Sequence, residues 1–186
     1  MVRLYVALVH HPVLNRKGEI IASAVTNLDL HDLARAARTY EIPACFVVTP
    51  LKDQQDLVAS LIGHWCEGVG KELHPDRDEA LRRLRVVDSL ASAKAEIEAR
   101  AGCAPFVWAT SARDCEGAMS HRKARETLKE TDAPVLLLLG TGWGLAPDVL
   151  GEADGVLEAI RGLNGYNHLS VRCAAAILMD RLLRVE

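Results

Sequence analysis

The sequence predicts a single α/β domain built on a parallel sheet. Three observations lead there. Six short apolar runs recur along the chain: Leu4–Val9, Ala44–Val48, Leu84–Val87, Phe106–Ala109, Val135–Leu139 and Val156–Ile160. Apart from Arg85 and Glu158 they are apolar at successive positions rather than at alternate ones, as strands are when helices cover both faces. Helix-like patterns separate them, and no Pro/Gly/Ser-rich linker divides the 186 residues, so 1–186 reads as one domain.

Each element has a local reason. After the first run, Pro12 to Glu19 reads as a loop, with Asn15 and Gly18 as turn residues. Asn27 or Asp29 then caps a helix running to about Tyr40. In it Leu30, Leu33, Ala34 and Ala37 form a buried stripe, while His31, Arg35 and Arg38 share another face. That face is either solvated or a small cationic surface for phosphate. Gln54 to Cys66 is a second helix pattern, ended by Gly68 and Gly70, with Trp65 as core. Asp76 to Arg85 mixes both charges and reads as a solvated helix. Ser89 caps a helix that Gly102 ends, and Ser120 to Lys129 is another. The chain closes with a helix capped by Asn167 or Ser170, carrying the stripe Val171, Ala174, Leu178, Leu182 and Val185.

Composition excludes several classes. Hydrophobic residues make up 49% and charged residues 25%, enough for one sizeable core. The net charge of −3 does not fit a globally basic nucleic-acid binder, so any RNA contact rests on local patches. Five cysteines without a C-x-x-C pair read as free thiols. No segment is long enough to span a bilayer. A cytoplasmic protein is expected. His10 and His11 are adjacent and point to opposite faces, and the other histidines lack ligand spacing, so no metal is expected.

The stretch Val135 to Asp180 carries the chemistry. A strand stops at Gly140-Thr141-Gly142-Trp143-Gly144, and a second stops at the polar loop Arg161 to His168. The glycines do not fit G-x-G-x-x-G, and no Gly-Lys-Ser/Thr follows for a phosphate loop. Three alternate glycines let bare main chain approach a ligand. Thr110 and Ser111, at the end of the Phe106–Ala109 strand, either line a crevice or make a turn.

GTGWGL followed by a strand, then GYNHLSVR and an apolar helix ending in DRLL, resembles the C-terminal half of SPOUT-class RNA methyltransferases. AVTNLDLHDLARAARTY, Ala24 to Tyr40, is similar to the N-terminal signature of a small bacterial subfamily, found alone or fused behind a tRNA guanine methyltransferase. The resemblance covers nearly the whole chain and implies an α/β-knot, a deep trefoil knot at the C-terminus. It also implies a homodimer, an RNA substrate (tRNA or rRNA) and S-adenosyl-L-methionine as cofactor. By position it implies a cofactor pocket of Thr110, Leu139, Gly140, Thr141, Gly142, Gly144, Ile160, Tyr166, Asn167, Leu169 and Ser170. Asp29, His31 and Arg38 on the signature helix and Arg172 at the start of the last helix are the candidate catalytic residues. A knotted binding or assembly module that keeps the pocket without catalysis is the alternative function, and a nicotinamide-dependent enzyme is a third.

Overall fold

A computed structural model describes residues 2–67 and 69–184. Gly68, expected to help end the second helix, and Val185, placed on the last helix's stripe, lie outside the described residues. In chain order the elements are β1 (Leu4–Val9), β2 (Val13–Leu14), β3 (Ile20–Ile21), α1 (Asn27–Thr39), β4 (Cys45–Val48) and α2 (Lys52–Cys66). Then come α3 (Val69–Leu73), α4 (Pro75–Leu81), β5 (Leu84–Val87), α5 (Leu90–Ala101), β6 (Phe106–Thr110) and α6 (His121–Glu130). The chain ends with β7 (Val135–Gly140), α7 (Pro147–Gly151), β8 (Gly155–Leu157) and α8 (Val171–Leu183).

Six strands form one parallel sheet in the order β5-β4-β1-β7-β6-β8. The chain first builds outward from β1 through β4 to β5. It then returns to place β7 against the other side of β1, in register from Leu4↔Val135 to Val9↔Gly140. Strand order therefore reverses between β1 and β7. In open α/β sheets a ligand crevice forms outside the C-terminal ends of the strands at such a reversal.

The unbroken apolar runs follow from coverage on both faces. Alternate residues of one strand enter different cores. Leu4, Val6 and Leu8 pack with Leu30, Leu33, Ala37, Leu178 and Met179 from α1 and α8. Tyr5, Ala7 and Val9 pack with Phe46, Ala93, Ile97 and Leu138 on the α5 side. Central β1 and β7 are buried residue after residue, apart from half-buried Gly140.

Helix ends obey local chemistry. The hydroxyls of Ser89, Ser120 and Ser170 accept from the backbone N–H three residues on, in Ser92, Lys123 and Cys173. Ser170, not Asn167, is thus the cap of α8. At α1 the cap position falls on Thr26, whose hydroxyl instead donates to Asp29 Oδ2 at 2.6 Å. Gly102, at φ 79°, closes α5. Trp65 is half-buried against the core, and Arg77 stacks over its ring at 4.3 Å.

Gly70, read as helping to end the second helix, instead lies within α3, and α2 stops at Cys66 with Glu67 at its cap. Three further features differ from expectation. The loop after β1 contains a small antiparallel hairpin, β2 with β3. The run expected to reach Ile160 leaves the sheet at Leu157: β8 is an edge strand paired with β6, and on its other side it is bridged by Met119 alone among the described residues. A short helix, α7, follows the glycine turn with Pro147 at its start, where a missing N–H costs nothing. Among the described residues no helix is long and apolar enough to cross a membrane.

Candidate functional site

One cleft of about 740 Å³ opens at the C-terminal ends of β1, β7, β6 and β8. That is ample for a nucleoside-sized ligand. Thr110 to Arg113 end and follow β6, Leu139 to Leu145 end and follow β7, and Glu158 and Ile160 follow β8. Asn167 to Arg172 bring in the second loop and the start of α8, while His10, Ser23, Ala24, Thr26 and Asp29 come from β1 and the approach to α1. Leu139, Leu145, Ile160, Leu169 and Leu178 make apolar walls among convergent hydroxyl, amide and carboxylate groups.

Cross-links hold the two loops in place. The Thr110 hydroxyl donates to the Leu138 carbonyl at 2.8 Å, pinning the end of β6 to β7. The Asn167 side-chain amide donates to the Ala112 carbonyl at 2.6 Å, and Arg161 pairs with Asp114. The glycine turn is held from the other side by the β2 strand: Trp143 N–H donates to the Leu14 carbonyl and Leu14 N–H to the Gly144 carbonyl, each at 2.9 Å.

That contact changes the reading of the glycines. At Gly142, φ is 59°, and an added Cβ would lie 2.9 Å from the Leu14 carbonyl oxygen. At Gly140 it would lie 2.6 Å from Leu145 N. Their bareness lets the chain pack on itself, whereas the sequence suggested bareness for a ligand. Gly144, at φ 106°, has open space beside it. The turn still lines the cleft.

Of the residues implicated by sequence, Thr110, Leu139, Gly140, Thr141, Gly142, Gly144, Ile160, Asn167, Leu169 and Ser170 all line this cleft. Tyr166 does not. It is 72% exposed and packs edge-on against His168, with ring centroids 5.3 Å apart.

The candidate catalytic residues separate by helix geometry. Asp29 and Arg172 line the cleft and meet in it, with Arg172 Nη1 3.1 Å from Asp29 Oδ1. Arg172 Nε also reaches Asp32 Oδ2 at 3.2 Å. Asp29 and Asp32, three residues apart, share a helix face. His31 is two residues from Asp29 and so points away. It lies outside the cleft lining, edge-on to Trp65 at 5.7 Å. Burial and the neighbouring Arg77 charge lower its pKa. Arg38 lies nine residues beyond Asp29, about 13 Å along α1. It is held by Glu41 and by Glu79 at 2.8 Å, which raise its pKa, and it too is outside the cleft.

His10 is the group the sequence did not single out. It is 1% exposed and lines the cleft just past β1. Its Nδ1 lies 2.9 Å from Ser23 Oγ, and Ser23 Oγ lies 2.6 Å from Thr141 Oγ1. Burial pushes its pKa down to about 4, against a smaller opposing pull from Asp29. Its position at the C-terminal end of a central strand was a usable signal. Among the described residues no group of three or more His, Cys, Asp or Glu side chains could hold a metal ion.

A doubly wound parallel sheet with a nucleoside-sized cleft at its strand reversal is the architecture of a nucleotide or nucleotide-cofactor protein. The chain belongs to the SAM-dependent RNA methyltransferase family, whose model matches residues 3–184. It is 48% identical over 180 residues to a tRNA (guanine-N(1)-)-methyltransferase of Oleidesulfovibrio alaskensis, covering 97% of this chain. The chain spans 42% of that relative's length. Its fold is similar to a probable methyltransferase from Bordetella pertussis, with TM-score 0.64, 19% identity, and 97% and 94% of the two chains covered. It is also similar to an AdoMet-bound rRNA methyltransferase from Sinorhizobium meliloti, with TM-score 0.56, 16% identity, and 96% and 55% covered.

Proposed function

We propose that this chain transfers the methyl group of S-adenosylmethionine to a nucleotide of RNA, with tRNA as the substrate class. The single observation that carries the proposal is the shared cleft. The glycine turn after β7, the end of β6 and the loop before α8 face one another across a space of nucleoside size. The tRNA assignment draws its support from the relative in Oleidesulfovibrio alaskensis.

The site suits the cofactor on its own terms. Leu139, Leu145, Ile160 and Leu169 offer flat apolar contact for an adenine ring. Thr110, Ser111, Asn167 and main chain of residues 139–144 offer hydrogen bonds to its edge and ribose. When bound, the cofactor supplies an electrophilic methyl on a sulfonium centre. The protein's tasks are then to hold the acceptor in line and to handle one proton. Asp29 is placed to act as a carboxylate facing the acceptor, held in orientation by Thr26 and Arg172. Arg172 keeps its charge and suits orientation or phosphate contact. Tyr166, His31 and Arg38 are assigned no contact with the cofactor within one chain.

The resemblance also supports a C-terminal trefoil knot and a homodimer. Trp143, Leu163, Tyr166 and Leu169 are exposed apolar residues on the two cleft loops, a surface suited to cover by a second copy. The reading is tested by incubating the protein with radiolabelled S-adenosylmethionine and tRNA from a strain lacking it. Label in tRNA is expected. Cofactor binding without label in tRNA or rRNA would favour the non-catalytic alternative.

A further inference from the structure

His10 lines the cleft, and one of its buried ring nitrogens has no hydrogen-bond partner within the protein. Nε2 makes no hydrogen bond, although the ring is 1% exposed. A buried polar atom without a partner costs stability, and in a native site it calls for an explanation, of which a role in binding or catalysis is one.

The tautomer follows from a chain of contacts. Thr141 Oγ1 donates to the Val9 carbonyl at 2.9 Å, so its proton is committed. The Ser23 hydroxyl, 2.6 Å away, must then be the donor to Thr141 Oγ1. Ser23 Oγ is left to accept, and the atom facing it at 2.9 Å is His10 Nδ1. The one assignment satisfying all three contacts runs Nδ1–H to Ser23, Ser23 to Thr141, and Thr141 to the β1 backbone. In a neutral imidazole this leaves Nε2 with a bare lone pair. Burial keeps the ring neutral. The carbonyls of Ala24 and Ser23 make loose contacts with the ring that raise its pKa a little against the larger effect of burial, and neither meets Nε2 in full hydrogen-bond geometry.

Place then decides which ligand group it meets. The cofactor loops follow β7, β6 and β8. His10 follows β1, on the far side of β7 from β6 and β8. It shares that side with Thr26, Asp29 and Arg172, and the Asp29 charge acts on it. Hence the partner sits beside the cofactor rather than within its nucleoside slot.

We propose that His10 Nε2 accepts a hydrogen bond from a proton-bearing group, O–H or N–H, on the RNA nucleotide to be methylated. The proposal deepens the methyltransferase reading and rests on it. The methyl acceptor on this account is a hydroxyl or an N–H-bearing nitrogen: His10 fixes its lone pair toward the methyl, and as that lone pair takes the methyl its proton leaves along the hydrogen bond, through His10 Nε2 to solvent. Thr141 and Ser23 are positioning residues, tying the acceptor atom to the cofactor turn.

Two variants separate contact from structure. His10→Asn puts an amide N–H near the Nδ1 position, so it preserves the Ser23 link and removes the Nε2 acceptor. His10→Gln extends an acceptor to about the Nε2 position. The expected result for His10→Asn is unchanged S-adenosylhomocysteine affinity with a loss of about tenfold or more in the rate of methyl transfer to tRNA. His10→Gln recovers part of that rate. A readout independent of turnover is the ¹⁵N spectrum of the His10 ring in wild-type protein saturated with S-adenosylhomocysteine. Nε2 is expected to be unprotonated, and to shift upfield when tRNA from a strain lacking the protein is added. A protonated Nε2, no shift on adding bound tRNA, or a tenfold loss of S-adenosylhomocysteine affinity in His10→Asn would each overturn the proposal. Failure of wild-type protein to bind S-adenosylhomocysteine at all would instead remove the reading beneath it.

Discussion

Replacing Gly142 by Ala tests how the glycine turn is built. The backbone there has φ 59°, where a non-glycine residue pays about 1–2 kcal/mol. The new Cβ would lie 2.9 Å from the Leu14 carbonyl, about half an ångström inside ordinary contact. That neighbour is main chain, held by its own bonds to Trp143 and Gly144, so it cannot swing aside as a side-chain tip would. Together the two effects are worth roughly 2–3 kcal/mol, or about 4–12 °C in melting temperature for a domain of this size. Relief requires the β2–β3 hairpin to lift from the turn, which moves Thr141 and weakens cofactor binding by about tenfold. Calorimetric melting and S-adenosylhomocysteine titration read both effects. Gly151→Ala is the control: it sits in α7 with open space beside it and should be neutral or slightly stabilising. If Gly142→Ala melts with the wild type and binds as well, the packing explanation of this glycine is wrong.

Other predictions concern charge and accessibility. Asp29→Asn and Arg172→Ala should each reduce methyl transfer at least tenfold. A double-mutant cycle on stability should give a coupling of about 0.5–1.5 kcal/mol, since the pair is only partly shielded from water. Acid should destabilise the fold through His10. Its folded pKa of about 4 lies below the unfolded value, so the unfolded chain binds more protons between about pH 6.5 and 4. Stability therefore falls as pH drops through that window, by about 3 kcal/mol from this group. His31 and His121 shift in the same direction, so urea midpoints of wild type and His10→Asn must be compared at each pH. The acid loss should be smaller in the variant, and equal losses would contradict the assignment. With a thiol reagent near pH 8, exposed Cys103 and Cys173 should label in the native protein. Cys45, buried and pushed up to about 12, should label only on unfolding.

The sheet was legible because its signal is local and strong. Val135–Leu139 and Leu4–Val9 are unbroken apolar runs, short enough to favour strands over a buried helix, and both are buried on both faces. Ser89, Ser120 and Ser170 announce their helices through capping chemistry. The β2–β3 hairpin was missed because it has two residues per strand, too few for any periodicity. The cleft loops were visible as bare or polar stretches at strand ends. Side-chain direction was not. His31 and Asp29 lie two residues apart in a signature segment, and only the turn of α1 shows that one faces Trp65 and the other Arg172. His10 was hidden for a related reason. Its role depends on Ser23 and Thr141, 13 and 131 residues away, and no spacing rule connects them.

The most direct test of the central claim is a crystal structure of this chain with S-adenosylhomocysteine. The account predicts the adenosine between Thr110–Ala112, the turn 139–144 and Asn167–Ser170, with the sulfur on the side of Asp29 and His10. A ligand bound elsewhere, or a cleft that stays closed to millimolar ligand, would contradict it.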